Sequence, residues 1–198
     1  MNRDHICRLS RDASKEEILE RINNNTITDI LNKIEVKAGD VVMVKAGTIH
    51  AIGAGVFICE IQQNSNCTYR MYDYDRRDKF GNPRELHVKK ALDVVDNHKY
   101  IKDNKTEVVI ARNEHFTEER LVQCKYFEVY KYDVNDEAKI TVDEASFVSV
   151  LFINGSGTIE TDDYEKTMEF KAGDSFFVSA GLRSIIVKGR ATMVVTRV

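Results

Sequence analysis

The chain repeats one short block, and this repeat constrains the fold more than any other sequence feature. The first copy, VKAGDVVMVKAGTIH at 36–50, aligns without gaps with the second copy, FKAGDSFFVSAGLRS at 170–184, at a constant offset of 134 residues. In each copy a Gly-Asp pair predicts a tight turn into a strand, and an Ala-Gly pair predicts a turn out of it. The matched spacing favours a duplicated β-unit over turn sequences that recur by coincidence.

Short runs rich in Val, Ile, Phe and Tyr predict that most of the remaining chain forms β-strands. The predicted strands are 41–44, 56–62, 68–74, 147–153, 175–179 and 192–196. Short, regularly spaced strands of this kind favour a sandwich or a barrel. The Asn-Gly-Ser-Gly sequence at 154–157 predicts a hairpin turn, because Asn and Gly tolerate positive φ.

Three short helical patterns interrupt the strands. Ser14 and Glu17 have the spacing of a capping box, in which each side chain satisfies the other residue's backbone N–H. Apolar residues at helical spacing follow this box, recur at 27–31, and return after Pro83 within 84–95. We therefore predict a mainly β protein with a few short helices.

The charge balance and the apolar pattern exclude several classes of partner. The chain has 29 Lys and Arg against 32 Asp and Glu, with a net charge of −3 and no basic cluster, so we expect no nucleic-acid binding. No apolar run is long enough to cross a bilayer, and residues 1–20 do not have the pattern of a signal peptide. We therefore expect a cytoplasmic protein with no membrane partner and four reduced cysteines.

The two copies of the repeat differ at one position that bears on function. His50 in the first copy falls on Ser184 in the second. A duplicated scaffold that keeps an imidazole in one copy favours a metal or acid–base site there and a structural role for the other copy. A histidine in apolar surroundings is, by itself, more often structural.

Two charged residues lie on the predicted strands that follow His50. Antiparallel pairing of these strands would bring His50, Glu60 and Arg70 around one concave space. A charged pair in that space would require a functional or structural explanation, because burying either charge without its partner costs several kcal/mol. A functional site and a structural Glu60–Arg70 salt bridge covered by tyrosines are equal alternatives on this pattern.

The block AGTIHAIGAGVFICEIQQNSNCTYRMYDYDRRDKFGNPRELHVKKALDVV at 46–95 resembles the C-terminal half of the type I mannose-6-phosphate isomerases, particularly the short bacterial form. The resemblance extends upstream through 14–40 and, more weakly, to the C-terminal KAGD strands. It implies a duplicated cupin, or jelly-roll, architecture. It also implies a zinc-dependent aldose–ketose isomerase that interconverts mannose 6-phosphate and fructose 6-phosphate.

The resemblance also implies roles for individual residues. His50 matches the family's C-terminal zinc-ligand histidine, Arg70 its catalytic arginine, and Glu60 an acidic residue that lines the substrate pocket. The reaction passes through an enediolate, whose negative charge a permanently protonated arginine would stabilise. Zinc, one ion per active site, would polarise substrate oxygens. His87 lies in a helical surface pattern, which favours a structural role.

The remaining zinc ligands of the family, a Gln-x-His pair and a Glu, have no counterpart in the sequence. No Gln-x-His occurs, and the histidines at 5, 87, 98 and 115 do not have ligand spacing. The chain thus resembles an isomerase without its N-terminal cupin half. On this reading, residues 1–35 form a short helical segment, 36–100 an incomplete catalytic cupin part with its following helix, and 101–198 a C-terminal cupin-like β domain.

Three functional hypotheses follow. The first, which we adopt, is a mannose-6-phosphate isomerase by family, whose chain binds zinc weakly or not at all unless a partner chain donates the missing ligands, so that its own activity is an open question. The second is a non-catalytic cupin module that binds a sugar phosphate or acts as an interaction subunit. The third is an inactive fragment whose exposed barrel edges promote self-association.

Overall fold

The computed structural model of the protein describes residues 5–65, 67–101, 108–161 and 164–198. Its described part is mainly β, as predicted, with eleven strands, two α-helices and one 3-10 helix. The chain divides into two compact units, which we call the N-terminal unit (1–103) and the C-terminal unit (104–198). No helix in the described part is long and apolar enough to span a membrane.

The N-terminal unit combines a small antiparallel sheet with short helices. Its elements are β1 (His5–Leu9), α1 (Lys15–Asn23), a 3-10 helix (Ile27–Ile30), β2 (Leu31–Glu35), β3 (Ala51–Ile52) and α2 (Val88–Val94). The strand order in the sheet is β2-β1-β3. Residues 5–35 therefore contain two strands that the helical patterns did not indicate. The predicted boundaries near 35 and 100 stay a prediction.

Helix α1 begins where the sequence predicted, but its capping box forms only in part. The Glu17 N–H donates to Ser14 Oγ over 3.1 Å. The Glu17 carboxylate accepts hydrogen bonds from the Arg11 and Arg21 guanidiniums, which lower its pKa to about 2. An ion pair with two guanidiniums thus replaces the reciprocal contact with the Ser14 backbone.

Apolar residues from α1 and its neighbours form the core of this unit. We call this cluster the N-terminal core; it contains Leu9, Ala13, Ile18, Ile22, Ile27 and Ile30. The second helical pattern is confirmed as the 3-10 helix, although Leu31 already begins β2. The third is confirmed as α2, which begins at Val88 rather than near residue 84.

Three predicted strands of the N-terminal unit are wrong. The segments 41–44, 56–62 and 68–74 form no strand, and the described residues provide them with no sheet neighbour. A β-strand needs a partner because its backbone N–H and C=O groups are satisfied by the neighbouring strand. Several apolar side chains in these segments are exposed, and Phe57 is 95% exposed.

The C-terminal unit is a continuous antiparallel sheet. Its strands are β4 (Val108–Arg112), β5 (Phe116–Gln123), β6 (Glu128–Val134), β7 (Glu137–Val142), β8 (Val148–Thr161), β9 (Tyr164–Lys171), β10 (Ser175–Val178) and β11 (Arg183–Arg197). The order β10-β8-β11-β6-β5-β4 places the long strands β8 and β11 side by side at its centre, while β7 pairs with β11 and β9 with β8. The predicted strands of this unit are confirmed within β8, β10 and β11.

The predicted hairpin turn at 154–157 is wrong, because this segment lies inside β8. Strand β8 pairs with β11 from Val148 to Thr161, with a register shift opposite this segment. Gly155 has φ of 90°, and an added Cβ there would lie 2.0 Å from the Arg190 carbonyl oxygen. The glycine therefore permits a close approach of the two strands where their pairing is irregular. Asn and Gly are typical of such irregularities within strands as well as of turns.

Candidate functional site

His50 lies directly after the second turn of the first copy. Gly47, with φ of 81°, lets the chain pass close to α2, and Ile49 packs against the N-terminal core. The exposed His50 ring places Nδ1 2.9 Å from the carbonyl oxygen of Thr48. Because a carbonyl only accepts, Nδ1 carries the hydrogen in the neutral ring and Nε2 keeps its lone pair. Metal-binding histidines are oriented in this way.

The described residues do not complete a metal site around this histidine. They contain no group of three or more His, Cys, Asp or Glu side chains that could hold a metal ion. Zinc sites in proteins use three or four protein ligands. His50 thus fits the part of a single ligand, but the chain as described does not fit a complete zinc centre.

Arg70 is half-buried and is held at both its backbone and its head group. The next two residues, Met71 and Tyr72, pack against the N-terminal core. The Arg70 Nη1 group donates to the carbonyl oxygen of Glu85 over 3.2 Å. Its backbone N–H donates to His87 Nδ1 over 3.3 Å, and the His87 N–H donates to the Arg70 carbonyl over 2.7 Å. The Nη1 contact restrains the guanidinium, and the two backbone contacts hold this residue beside His87.

His87 is therefore a neighbour of Arg70, a relation that the sequence interpretation missed. It precedes α2, its side chain is 26% exposed, and its ring lies 6.4 Å from that of Tyr69. The next residue, Val88, packs against the N-terminal core. The contact spans 17 residues without regular secondary structure, so no periodicity could reveal it.

Glu60 is exposed and lies in one of the segments without a strand. The alternation that would place it beside Arg70 is absent, because residues 56–62 have no sheet neighbour in the described part of the chain. No hydrogen bond or ion pair between described residues joins His50, Glu60 and Arg70. The alternative Glu60–Arg70 salt bridge does not form, and the functional roles of the three residues stay predictions.

A second polar cluster follows Arg70 along the chain. Asp73 is 7% exposed, and its Oδ1 atom accepts a hydrogen bond from Arg76 Nη2 and lies 3.8 Å from Arg84 Nη1. The hydrogen bond from Arg76 lowers the pKa of Asp73 below its usual value. Tyr74 and Asp75 both have positive φ, which turns the chain so that Arg76 returns to Asp73. Asp73 and Arg76 of this cluster lie in the sequence DYDRR at 73–77. The spacing of these residues does not by itself predict a site.

Comparisons with known proteins agree with these observations. A family profile described as the mannose-6-phosphate isomerase cupin domain matches residues 117–198. The protein YvyI of Bacillus subtilis is 40% identical over 190 residues, and mannose-6-phosphate isomerase ManA of the same organism is 33% identical over 194 residues. Each match covers 93% of this chain.

A solved structure supports the same relationship. The crystal structure of the mannose 6-phosphate isomerase from Bacillus subtilis superposes on all of this chain with a TM-score of 0.86 and 35% sequence identity. The chain spans 57% of the length of the two curated relatives and 62% of the chain in that structure. The mainly β fold, the cupin profile and these relatives agree: over almost all of its own length the chain is similar in sequence and fold to the mannose-6-phosphate isomerases.

Proposed function

We propose that this chain takes part in the interconversion of mannose 6-phosphate and fructose 6-phosphate. The observation that carries the proposal is the placement of Arg70, whose guanidinium donates to the Glu85 carbonyl and whose backbone contacts His87. Similarity to mannose-6-phosphate isomerase ManA and to the solved isomerase from Bacillus subtilis supports the substrate assignment. A cytoplasmic location belongs to the same proposal.

The chemistry requires a proton to move between two neighbouring carbons. A base removes the proton from C2 of the open-chain aldehyde, the electrons form a C1–C2 double bond, and the negative charge moves to the oxygens. Return of a proton to C1, together with transfer of the C2 hydroxyl proton to O1, then gives the C2 ketone and the C1 alcohol. Arg70 would stabilise the enediolate, because its guanidinium stays protonated and is already held in place before the reaction. Glu60 would carry the proton or accept a substrate hydroxyl.

Zinc is the cofactor that we propose, with His50 as one of its ligands. The tautomer fixed by the Thr48 carbonyl supports this role, since it directs the lone pair of Nε2 away from the backbone. Further ligands would have to come from outside the described residues, for example from a partner chain. The described residues do not complete its site.

The test combines metal content with a coupled isomerase assay. The full chain, purified without chelator, is analysed by mass spectrometry and assayed beside Arg70→Ala and a control, Arg190→Ala, which removes an exposed arginine of the C-terminal unit. We expect turnover to fall about a hundredfold or more in Arg70→Ala, the order found when a charge that stabilises the transition state is removed, and to be unchanged in the control.

The outcomes separate the hypotheses. Near-stoichiometric zinc with turnover that depends on Arg70 supports an isomerase with a completed metal site. Turnover that is equal in the wild type and in Arg70→Ala removes Arg70 from the mechanism. Absence of both zinc and turnover rejects catalysis by the isolated chain and leaves a non-catalytic module.

A second candidate function, an interaction subunit, is favoured by the exposed apolar surface of the N-terminal unit. We define this surface by eight of the large exposed apolar residues of the N-terminal unit, which are Val41, Val42, Val44, Phe57, Ile58, Tyr69, Phe80 and Leu86. Exposed apolar patches mark sites of protein association. Light scattering over a concentration series tests self-association: a mass that rises with concentration, and falls in Phe57→Ser, supports this function, whereas a monomer at all concentrations rejects it.

A further inference from the structure

We propose that Arg120 and Arg197, on the core face of the C-terminal unit, bind a small dicarboxylate across the ring of Tyr130. The core face is the side of the sheet that carries the buried residues Tyr132 and Val195. This site lies within the C-terminal unit, and it does not depend on the isomerase function proposed above.

The register of the sheet places the three residues of the site together. On β6, Tyr130 and Tyr132 are two residues apart and therefore lie on the same face. Tyr130 pairs with Arg120 of β5 on one side and with Val195 of β11 on the other. Arg197, two residues after Val195, shares the face of Val195. The two arginines thus lie on the strands that flank Tyr130.

Both guanidiniums act on Tyr130. The Arg197 guanidinium carbon lies 5.5 Å from the centroid of the Tyr130 ring, which is a cation–π contact. Burial and the hydrogen bond to Glu128 raise the pKa of Tyr130, whereas the positive charges of Arg197 and Arg120 act against this rise. A strand spacing of about 4.8 Å and a rise of about 3.4 Å per residue place the two arginine Cα atoms about 12 Å apart. Two long side chains can therefore reach the ring from opposite sides.

The carboxylates beside the arginines already have hydrogen-bond donors. Both oxygens of Glu128 accept, one from the Gln123 amide and the other from the Tyr130 hydroxyl over 2.6 Å. Glu118 Oε1 accepts from the Tyr132 hydroxyl, also over 2.6 Å. Within the described part of the chain, no ion pair joins either glutamate to an arginine of the site. The glutamates are thus held by neutral donors, and the arginines keep theirs.

The two arginines have donors that no described residue accepts. Arg197 Nε is buried and has no hydrogen-bond partner in the part of the chain that the structure describes. Arg120 is partly buried and takes part in no hydrogen bond or ion pair between described residues. Removing a charged donor from water without giving it an acceptor is costly. This pair of arginines therefore favours a binding role over a purely structural one.

The chemistry of these donors selects the class of ligand. A guanidinium presents its N–H groups in a planar fork that matches the two oxygens of a carboxylate. Two forks on opposite sides of an aromatic ring fit a molecule with a carboxylate at each end, whose short carbon chain would pack on the Tyr130 ring. The two glutamates limit the excess of positive charge on this face, which disfavours a polyanion.

The test measures binding of succinate to the full chain by isothermal titration calorimetry at a fixed ionic strength. The site variants are Arg120→Ala and Arg197→Ala, and the control is Arg190→Ala, which removes an exposed arginine of β11. We expect each site variant to weaken succinate binding about tenfold, the loss typical of a charge-assisted hydrogen bond, and the control to bind like the wild type. Arg120→Lys, which keeps the charge and loses the planar fork, should fall between Arg120→Ala and the wild type.

Two further probes test the need for a carboxylate at each end. Propionate, which has one carboxylate, should bind about tenfold more weakly than succinate, because it engages one guanidinium only. The neutral analogue 1,4-butanediol should give no heat of binding. Equal affinities for succinate and propionate would overturn the assignment of a dicarboxylate.

The remaining outcomes decide the site itself. Absence of succinate binding to the wild type, or equal affinities in the wild type and both site variants, would overturn the inference. An equal loss in Arg190→Ala would also overturn it, because that loss would indicate diffuse attraction to positive charge. Circular dichroism reports the folding of each variant, and if Arg197→Ala unfolds, Arg120→Ala with Arg120→Lys decides the question. Succinate binding that depends on the arginines supports the site whether or not the chain has isomerase activity.

Discussion

The two copies of the repeat begin with the same turn. In the first copy the Lys37 N–H donates to Asp40 Oδ2 over 3.0 Å, and in the second the Lys171 N–H donates to Asp174 Oδ2 over 2.9 Å. The backbone bond that closes the turn, from the Asp N–H back to the Lys carbonyl, is 3.1 Å long in both. An aspartate that binds the backbone three residues before it therefore folds this turn in two different surroundings.

The glycines of the two copies match as closely. Gly39 and Gly173 have φ of 93° and 91°, and the later pair, Gly47 and Gly181, have 81° and 79°. Only glycine adopts these angles readily. The sequence repeat is therefore confirmed as a repeat of two local turns.

The segment between the turns differs completely. In the second copy, residues 175–178 form β10, pair with β8, and bury Val178 to 6% exposure. In the first copy the equivalent Val44 is 40% exposed and has no strand around it. The comparison shows that local hydrogen bonds are sufficient to form a turn, whereas a strand forms only where a second strand is present to pair with it.

The largest expected effect exchanges the residues at the last position of the two copies. Ser184, on β11, is 1% exposed, so Ser184→His places a large polar ring in packed surroundings and should lower the free energy of unfolding by about 3 kcal/mol. His50→Ser, at the exposed equivalent position, should change it by less than about 0.5 kcal/mol. Urea unfolding followed by circular dichroism measures both.

Equal changes in the free energy of unfolding in the two variants would contradict the difference in burial between the two copies. A tolerated Ser184→His would mean that the C-terminal unit has room for an imidazole at this position, so that burial does not separate the copies. Ser184→Thr, which keeps the hydroxyl, is the control for a minimal change in volume.

The second prediction uses the same substitution in both copies. Val178→Ala removes two methyl groups from the buried core of the C-terminal unit and should cost about 2 kcal/mol. Val44→Ala removes the same groups from an exposed segment and should cost less than about 0.5 kcal/mol. If urea unfolding gave the same loss for both, residues 41–44 would be buried in solution, and light scattering would then identify self-association as the cause.

The third prediction concerns the shared turn and expects equality. Gly39→Ala and Gly173→Ala each force a Cβ into a positive-φ conformation, and no atom lies within 4 Å of either added Cβ. Each variant should therefore lose about 1 kcal/mol, from backbone conformation alone. Thermal unfolding of the two variants at one protein concentration gives the measurement. A loss at Gly173 that clearly exceeds the loss at Gly39 would show that the sheet, rather than the turn, sets the cost.

The smallest effect tests a local contact outside the repeat. The pKa of Glu17 falls from 4.5 to about 2 in the folded chain because Arg11 and Arg21 bind its carboxylate. Since the folded pKa is the lower one, the stabilisation is complete above a pH of about 4.5 and is lost as the pH falls through about 2. Glu17→Gln should thus lower the thermal midpoint slightly at neutral pH and not near pH 2. Glu20→Gln is the control, and a difference that persists near pH 2 would contradict the prediction.

Some parts of the candidate site could be predicted from the sequence, and others could not. His50 was predicted from the repeat and from the family resemblance, and Arg70 from the resemblance, because both lie in distinctive segments; their functional roles stay predictions. The contact between Arg70 and His87 was missed because it joins irregular segments and depends on how each packs against the N-terminal core. The pairing of Asp73 with Arg84 was missed for the same reason, since a long loop closes through contacts without periodicity.

The sequence by itself determined the turns of the repeat, the N-terminal cap of α1 and three strand segments of the C-terminal unit, which lie in β8, β10 and β11. Each of these depends on residues that are close in the chain or on a pattern of period two. Only the tertiary structure decided that 41–44, 56–62 and 68–74 are not strands and that the glycines at 155 and 157 lie within one. The physical reason is that turns satisfy their hydrogen bonds locally, whereas a strand depends on a partner that the sequence of the segment does not specify.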